Sequence, residues 1–379
     1  MSRGLAIDRL LARQPDAAAV ERFLARHRFP LVEGSTATFV FRGEADEVLL
    51  RHWIWGLPSA RPFQRVADTE LWYLVEELPA GSRVEYKLEV VRDGGRELLQ
   101  DPLNPQLARD PFGANSVCQA AGYETPAWTL PDPEARPGEI VEMAVESRAL
   151  GGRRRVGVYL PARLRPTRRY PLIVAHDGFD YLRYAALGTV LDNLIHRLEI
   201  PQVVVALTDS PGRLEEYAAQ PGHARFVTEE LVPKLERELP LRGGPSGRCL
   251  MGASFGAVAS LATAWRYPGF YGRLLLQSGS FAFTDIGVTH RGPAFEPVVE
   301  FVNAFRRAPG RCVERLFVSC GVYESLIYEN RSLVPLLQRT GMEVRYVEAR
   351  DGHNWENWRD RLREGLSWLF PGPLWMVYE

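Results

Sequence analysis

The feature that most constrains this 379-residue chain is an alternation of short apolar runs with amphipathic stretches after about residue 139. The apolar runs are YPLIVAHDG, QVVVALTD, RCLMGAS, RLLLQSGS, RLFVSCG and EVRYVEA. Helical patterns cover residues 181–200, 223–239, 255–267, 296–307, 325–340 and 356–369. Strict alternation of this kind predicts a mostly parallel sheet covered by helices on both faces.

The first third of the chain has a different pattern. Residues 1–30 carry apolar residues at helical spacing on both sides of Pro15, which predicts two short amphipathic helices. Residues 31–124 contain short alternating segments such as TATFVFRG and RVEYKLEVVRDGG, which favour an antiparallel β-sandwich. A proline-rich stretch at 125–138 indicates a linker, so that residues 139–379 form the α/β domain.

Composition excludes several classes of partner. With 46 basic and 47 acidic residues the formal net charge is −1, which disfavours a nucleic-acid backbone or an anionic membrane as partner. Four cysteines without a CxxC pair predict neither a disulfide framework nor a zinc site, and we expect no metal or organic cofactor. Charges interrupt the N-terminal segment every few residues, so we expect a cytoplasmic protein without a signal peptide. The sequence leaves open whether the protein forms a homo-oligomer.

The most specific chemical motif is Gly252-Ala253-Ser254-Phe255-Gly256. It lies between an apolar strand pattern and a helical pattern, which is the context of a G-x-S-x-G nucleophile elbow. The sharp turn pushes the serine hydroxyl away from the sheet and places it at a helix N-terminus. We therefore predict Ser254 as a nucleophile, with a plain helix cap as the alternative.

A serine nucleophile needs a base and a carboxylate that orients the base. His353 lies in the loop after the last strand pattern, where the base is expected, although a solvated loop histidine is the alternative. Glu324 lies in the loop after RLFVSCG and is the predicted carboxylate, unless it is only a charge at a helix start. Asp351 is the second candidate.

The oxyanion of an ester-cleavage intermediate needs two backbone donors. The residue after the nucleophile, Phe255, supplies the first. The second belongs to the loop after PLIVA, where we choose Phe179 over Gly178.

These residues together resemble the enterochelin (ferric enterobactin) esterase group of the esterase D family. The resemblance covers most of the chain and rests on DPLNP at 101–105, HDG at 176–178, GASFG at 252–256, LQSGS at 276–280, GVYES at 321–325 and DGHNWENW at 351–358. It implies an N-terminal immunoglobulin-like β-sandwich before an α/β-hydrolase domain. It also implies hydrolysis of a siderophore trilactone, with Ser254, His353 and Glu324 as the catalytic triad.

The family also has an arginine followed by a Glu-Tyr/Leu pair and an Asn in the active-site mouth, which implies substrate-binding roles for Arg213 and Tyr217. Asp177, in the loop after PLIVA, is a further substrate-binding candidate, with a loop-stabilising polar role as the alternative. A surface ion pair of Arg213 with Glu215 or Glu216 is the alternative. Gln220 stands where the family has Asn, and Ala257 where a second Gly often follows the elbow.

Tryptophans at 53, 55, 72, 355 and 358 could stack on an aromatic substrate, or be buried in the core. Among them we select Trp355 and Trp358, because both directly follow the candidate base.

The residues thus predict a serine esterase that acts on a small-molecule ester, and the resemblance implies an enterobactin-like siderophore trilactone as that ester. A feruloyl, acetyl or polyester-type carboxylesterase, or an acyltransferase of the same fold, is an alternative. An alternative of another class is a catalytically inactive carbohydrate-binding protein, suggested by the N-terminal sandwich.

Overall fold

Two short helices begin the chain in the computed structural model, which describes residues 4–284 and 292–373. They are α1 (Ala6–Leu11) and α2 (Ala17–Arg26). Asp16 caps α2, since its carboxylate accepts a 2.8 Å hydrogen bond from the amide of Ala19. The apolar faces of both helices are buried against the first sheet, with Ile7 and Phe23 packed near Val40.

The next segment folds into two antiparallel sheets, as its alternating pattern predicts. One sheet has the order β1-β2-β6-β5 and the other β4-β3-β7-β10-β9, with β8 paired to β7. The core between them includes Phe39 and Tyr86, whose ring centroids are 5.0 Å apart. The strands are β1 (Leu31–Glu33), β2 (Thr36–Arg42), β3 (Glu47–His52), β4 (Ala60–Pro62), β5 (Gln64–Arg65), β6 (Leu71–Glu77), β7 (Arg83–Arg92), β8 (Gly95–Leu99), β9 (Leu107–Asp110) and β10 (Gly113–Gln119).

The remaining strands form one mixed sheet with the order β11-β12-β14-β13-β15-β16-β17-β18. Strands β11 and β12 form an antiparallel hairpin, β12 is antiparallel to β14, and β14, β13, β15, β16 and β17 pair in parallel. The strands are β11 (Glu139–Ser147), β12 (Gly152–Leu160), β13 (Leu172–Ala175), β14 (Val204–Thr208), β15 (Arg248–Ala253), β16 (Arg273–Gln277), β17 (Arg315–Gly321) and β18 (Glu343–Ala349).

Helices cover both faces of this sheet, and each face has its own apolar cluster. The helices are α3 (Gly178–Tyr184), α4 (Leu187–His196), α5 (Arg213–Glu216), α6 (Pro221–Arg225), α7 (Val232–Glu238), α8 (Phe255–Arg266), α9 (Glu296–Arg307), α10 (Ile327–Arg339) and α11 (Trp355–Leu369). A π-helical segment, Phe226–Leu231, connects α6 to α7. The predicted helix at 181–200 is two helices, because Ala186 adopts a left-handed conformation.

The sheet order and the covering helices confirm the predicted α/β-hydrolase fold preceded by a β domain. The described chain divides into two compact units. The first falls within Met1–Thr125, Val322–Ser325 and Ala349–Asn354, and the second within Pro126–Gly321, Leu326–Glu348 and Trp355–Glu379. Two loops that follow β17 and β18 thus belong to the same unit as the sandwich. Within residues 4–284 and 292–373, no helix has the length and apolar character needed to cross a bilayer.

Candidate active site

The turn between β15 and α8 places Ser254 in a strained conformation. Its φ of 57° and ψ of −120° lie in a region that residues other than glycine rarely adopt. Gly252 is required here, because a Cβ at this position would lie 2.4 Å from the backbone of Gly256. The half-buried Ser254 has its Oγ 3.1 Å from the Oγ of Ser280. This geometry agrees with a nucleophile elbow, and the role of Ser254 as nucleophile stays a prediction.

The two predicted oxyanion donors both lie in first turns of helices. Phe255 is the first residue of α8, and Phe179 is the second residue of α3. Amides in a first helical turn have no acceptor within the helix, and the helix dipole favours negative charge beside them. The ring of Phe179 packs on β12, where the Arg155 guanidinium lies 4.0 Å from the ring centroid. Their role as oxyanion donors stays a prediction.

The loops after β17 and β18 bring together His353 and Glu324. Nδ1 of His353 lies 2.7 Å from Oε2 of Glu324. The Glu324 side chain is fully buried, whereas that of His353 is 38% exposed. A carboxylate that accepts a hydrogen bond from Nδ1–H fixes the tautomer in which Nε2 is free to accept a proton. This pairing is the one that an imidazole base requires.

Asp351, the second carboxylate candidate, has different partners. It accepts hydrogen bonds from Arg83, from Asn354 and from the amide of Gly352. Burial raises the pKa of Asp351 to about 6, although the nearby Arg83 charge acts in the opposite direction. The orienting role therefore fits Glu324 better than Asp351.

Arg213 and Asp177, both predicted to bind substrate, form a two-pronged ion pair. Nε of Arg213 lies 2.9 Å from Oδ1 of Asp177, and Nη2 lies 2.8 Å from Oδ2. Glu216, one of the two alternative ion-pair partners of Arg213, pairs with Arg154 at 2.9 Å. The ion pair with Asp177 holds one edge of the Arg213 guanidinium against the carboxylate.

The other predicted substrate residues lie deeper. Tyr217 is fully buried, and its hydroxyl accepts a hydrogen bond from the amide of Asp177. Trp355 and Trp358 are 8% and 5% exposed and pack against each other in the core. The Trp358 indole N–H donates to Ser278 at 2.9 Å. For these tryptophans the structure shows the core burial that the sequence left as an alternative.

A buried histidine pair beneath the elbow was not found by the sequence analysis. Nε2 of His176 lies 3.0 Å from Nε2 of His223, and Nδ1 of His176 lies 3.0 Å from the carbonyl of Met251 and from the Ser260 hydroxyl. The carbonyl can only accept, so His176 donates from Nδ1 and accepts at Nε2 from His223. A Cβ on Gly256 would lie 3.1 Å from the Cβ of His176, so the His176 side chain packs directly against the elbow.

Both histidines are held neutral by burial. Desolvation lowers the pKa of His176 to about 4 and that of His223 well below its ordinary value. An unfolded histidine has a pKa of about 6.5, so below this pH the unfolded state binds protons that the folded state does not. The folded state is therefore most stable above about pH 6.5 and loses stability as the pH falls.

We expect the free energy of unfolding to fall between pH 7 and pH 5, by about 2 kcal/mol for His176 and further in the same direction for His223. His223→Gln keeps a donor towards His176 but does not titrate, so it should make this decline smaller. Urea unfolding at the two pH values measures the difference. Parallel pH profiles for wild type and variant would contradict the buried neutral pair.

A family model for esterases, named Esterase, matches residues 147–369, more than half of the chain. The protein belongs to the Esterase family. It is an ester hydrolase, and the expectation of an enterochelin esterase-like protein is confirmed.

Three relatives show the extent of the similarity. The iron(III) enterobactin esterase of Escherichia coli O6:H1 is 26% identical over 81% of this chain and 81% of its own length. The uncharacterized protein YjcH of Bacillus subtilis is 33% identical over 61% of this chain and 97% of its own. The solved structure of ferric enterobactin esterase from Salmonella typhimurium has the same fold, with a TM-score of 0.73, 22% identity and coverage of 88% and 93% of the two chains.

Proposed function

We propose that this esterase uses Ser254, His353 and Glu324 as a catalytic triad. The Glu324–His353 hydrogen bond of 2.7 Å is the observation that carries the proposal, together with the strained elbow at Ser254. Strands β15 and β17 both run parallel to β16, so the segments that follow them leave the sheet at the same edge. Ser254 and Glu324 lie on these two segments.

The reaction proceeds in two steps. The Ser254 hydroxyl attacks the ester carbonyl, and Nε2 of His353 takes its proton. The amides of Phe255 and Phe179 stabilise the oxyanion, and His353 returns the proton to the departing alcohol. Water then attacks the acyl-enzyme in the same way, which releases the acid and restores Ser254. The Glu324 carboxylate stabilises the imidazolium that forms on His353.

We propose a catecholate siderophore trilactone as the substrate class, with its iron as part of the substrate. Support comes from three relatives, in Escherichia coli and Dickeya dadantii, that are named iron(III) enterobactin esterase and match 72–81% of this chain. The test compares hydrolysis of a catecholate trilactone, a feruloyl ester and p-nitrophenyl acetate, with product release followed by chromatography. Preference for the feruloyl ester would overturn the substrate class and leave the triad standing. Absence of turnover on all three, together with glycan binding and no labelling by a fluorophosphonate, would overturn the proposed triad chemistry.

A loop of the sandwich offers exposed rings to such a substrate. Trp53 and Trp55 are 57% and 47% exposed, and the amide of Trp55 donates to the carbonyl of Tyr323 at 2.8 Å. Tyr323 directly precedes Glu324, so the loop is anchored beside the proposed triad carboxylate. Flat exposed indoles stack on aromatic groups such as catechols.

Trp55→Ala should therefore lower kcat/KM for the catecholate trilactone about three- to tenfold, because a stacking contact is lost. Hydrolysis of p-nitrophenyl acetate should change less than twofold. Phe112→Ala is the matched control, since Phe112 is a 96% exposed aromatic residue in the turn between β9 and β10. Equal losses on both substrates would contradict a role for Trp55 in substrate selection.

A further inference from the structure

Arg83 is a buried arginine outside the predicted catalytic machinery. It is the first residue of β7 and only 2% exposed. Its Nη1 lies 3.3 Å from the carboxylate of Asp351 and 3.1 Å from the side-chain oxygen of Asn354. Asp351 and Asn354 flank Gly352 and His353, so this guanidinium contacts the histidine loop on both sides of His353. Buried charges are rare unless such partners are present.

Backbone groups reinforce the same attachment. The amide of Arg83 donates to the carbonyl of Arg350 at 2.9 Å, and the Arg350 guanidinium donates to the carbonyl of Ala80 at 2.6 Å. Glu85, two residues along β7, also lies 3.2 Å from Nη1 of Arg83. The start of β7 therefore holds the histidine loop at several points.

The loop of Glu324 is attached to the same strand region. The hydroxyls of Ser82 and Tyr323 lie 2.6 Å apart, and the amide of Val322 donates to the carbonyl of Ala349 at 2.8 Å. The two loops that carry Glu324 and His353 are thus joined to each other and to residues 80–85.

We infer that Arg83 is a positioning residue for ester hydrolysis: by binding Asp351 and Asn354 it fixes the loop that presents His353 to its proton-transfer partners. This inference rests on the proposed triad. Its physical basis is that a displacement of about 1 Å in a catalytic group costs on the order of 100-fold in rate. A loop of this kind has no regular secondary structure to define its shape, so side-chain anchors must do so.

Removal of the guanidinium leaves a buried carboxylate without its cation. The pKa of Asp351 is already raised by burial, and loss of Arg83 raises it further. The Arg83→Met variant therefore either protonates Asp351 or lets water reach it, and both outcomes change the loop.

The test measures p-nitrophenyl acetate hydrolysis by the full chain. We expect R83M to lower kcat about 10- to 100-fold with KM within twofold of wild type, and R83K to recover part of the loss. The double variant R83M/D351N should be at least as active as R83M, because the unpaired carboxylate is gone.

R51M is the matched control. Arg51 pairs at the sandwich surface with Glu89 of β7, and Glu89 keeps Arg96 as a second partner. Its kcat should stay within twofold of wild type.

The rate constant of fluorophosphonate labelling at Ser254 separates positioning from folding. A positioning role lowers this rate constant in step with kcat, whereas partial unfolding lowers only the labelled fraction. The inference would be overturned if folded R83M had the kcat and the labelling rate constant of wild type. If R83M does not fold, the same result in folded R83K and R83M/D351N would overturn it. The His353→Ala variant tests the proposed triad separately from the role of Arg83. If His353→Ala is fully active, the triad is wrong. If it is inactive while the Arg83 variants have normal activity, only the inference about Arg83 is wrong.

Discussion

Ser254→Ala is expected to lose about 10⁴-fold or more of kcat for any ester substrate, with little change in the thermal unfolding temperature. The methyl group cannot attack a carbonyl, and the remaining activity comes only from substrate binding and the backbone donors. Alanine must still adopt the φ of 57° at the elbow, so relief of strain does not compensate. Steady-state hydrolysis of p-nitrophenyl acetate and mass spectrometry of a fluorophosphonate adduct check this result.

The neighbouring hydroxyl provides the control. The Oγ of Ser280 lies 3.1 Å from that of Ser254, so Ser280→Ala changes the same surroundings without removing the proposed nucleophile. It should keep at least about a tenth of wild-type kcat. If Ser254→Ala hydrolysed esters at the wild-type rate, or if the adduct formed on another residue, the nucleophile assignment would be wrong.

Glu324→Gln is expected to lower kcat about 10³- to 10⁴-fold. The amide has nearly the shape of the carboxylate but can donate to Nδ1 and so stabilise the wrong tautomer of His353. It also removes the negative charge that stabilises the imidazolium. The pH profile of kcat/KM, together with kcat at its optimum, measures both effects.

Asp351→Asn is the informative comparison, because Asp351 belongs to the same loop as His353. An asparagine at 351 can still accept from Arg83, so we expect a loss of less than about tenfold. A larger loss for Asp351→Asn than for Glu324→Gln would show that the orienting carboxylate had been assigned to the wrong residue.

Much of this molecule could be predicted because its sequence signals are local. The helix at 296–307 and the strand-turn-helix around Ser254 follow from periodicity and from glycines that a tight turn needs. Glu324 and His353 were predicted from strand order, since each lies in a loop directly after a strand pattern. The Glu324–His353 contact in the structure agrees with that reasoning.

The contacts that escaped prediction join residues far apart in the chain. Arg83 and Asp351 are 268 positions apart, and His176 and His223 are 47 apart, so no spacing rule connects them. The break at Ala186 depends on a single left-handed residue inside an otherwise helical pattern. Trp355 and Trp358 lie on the same face of a helix, and the sequence does not specify whether that face meets the core or the solvent.

The discontinuous composition of the first compact unit has a consequence for protein engineering. It consists of three separate stretches of chain, two of which are the short loops Val322–Ser325 and Ala349–Asn354. A single cut near residue 125 therefore yields an amino-terminal fragment without these two loops. In the carboxyl-terminal fragment, the carboxylate of Asp351 loses its arginine. Shuffling this module between homologous enzymes would require transplanting all three stretches together.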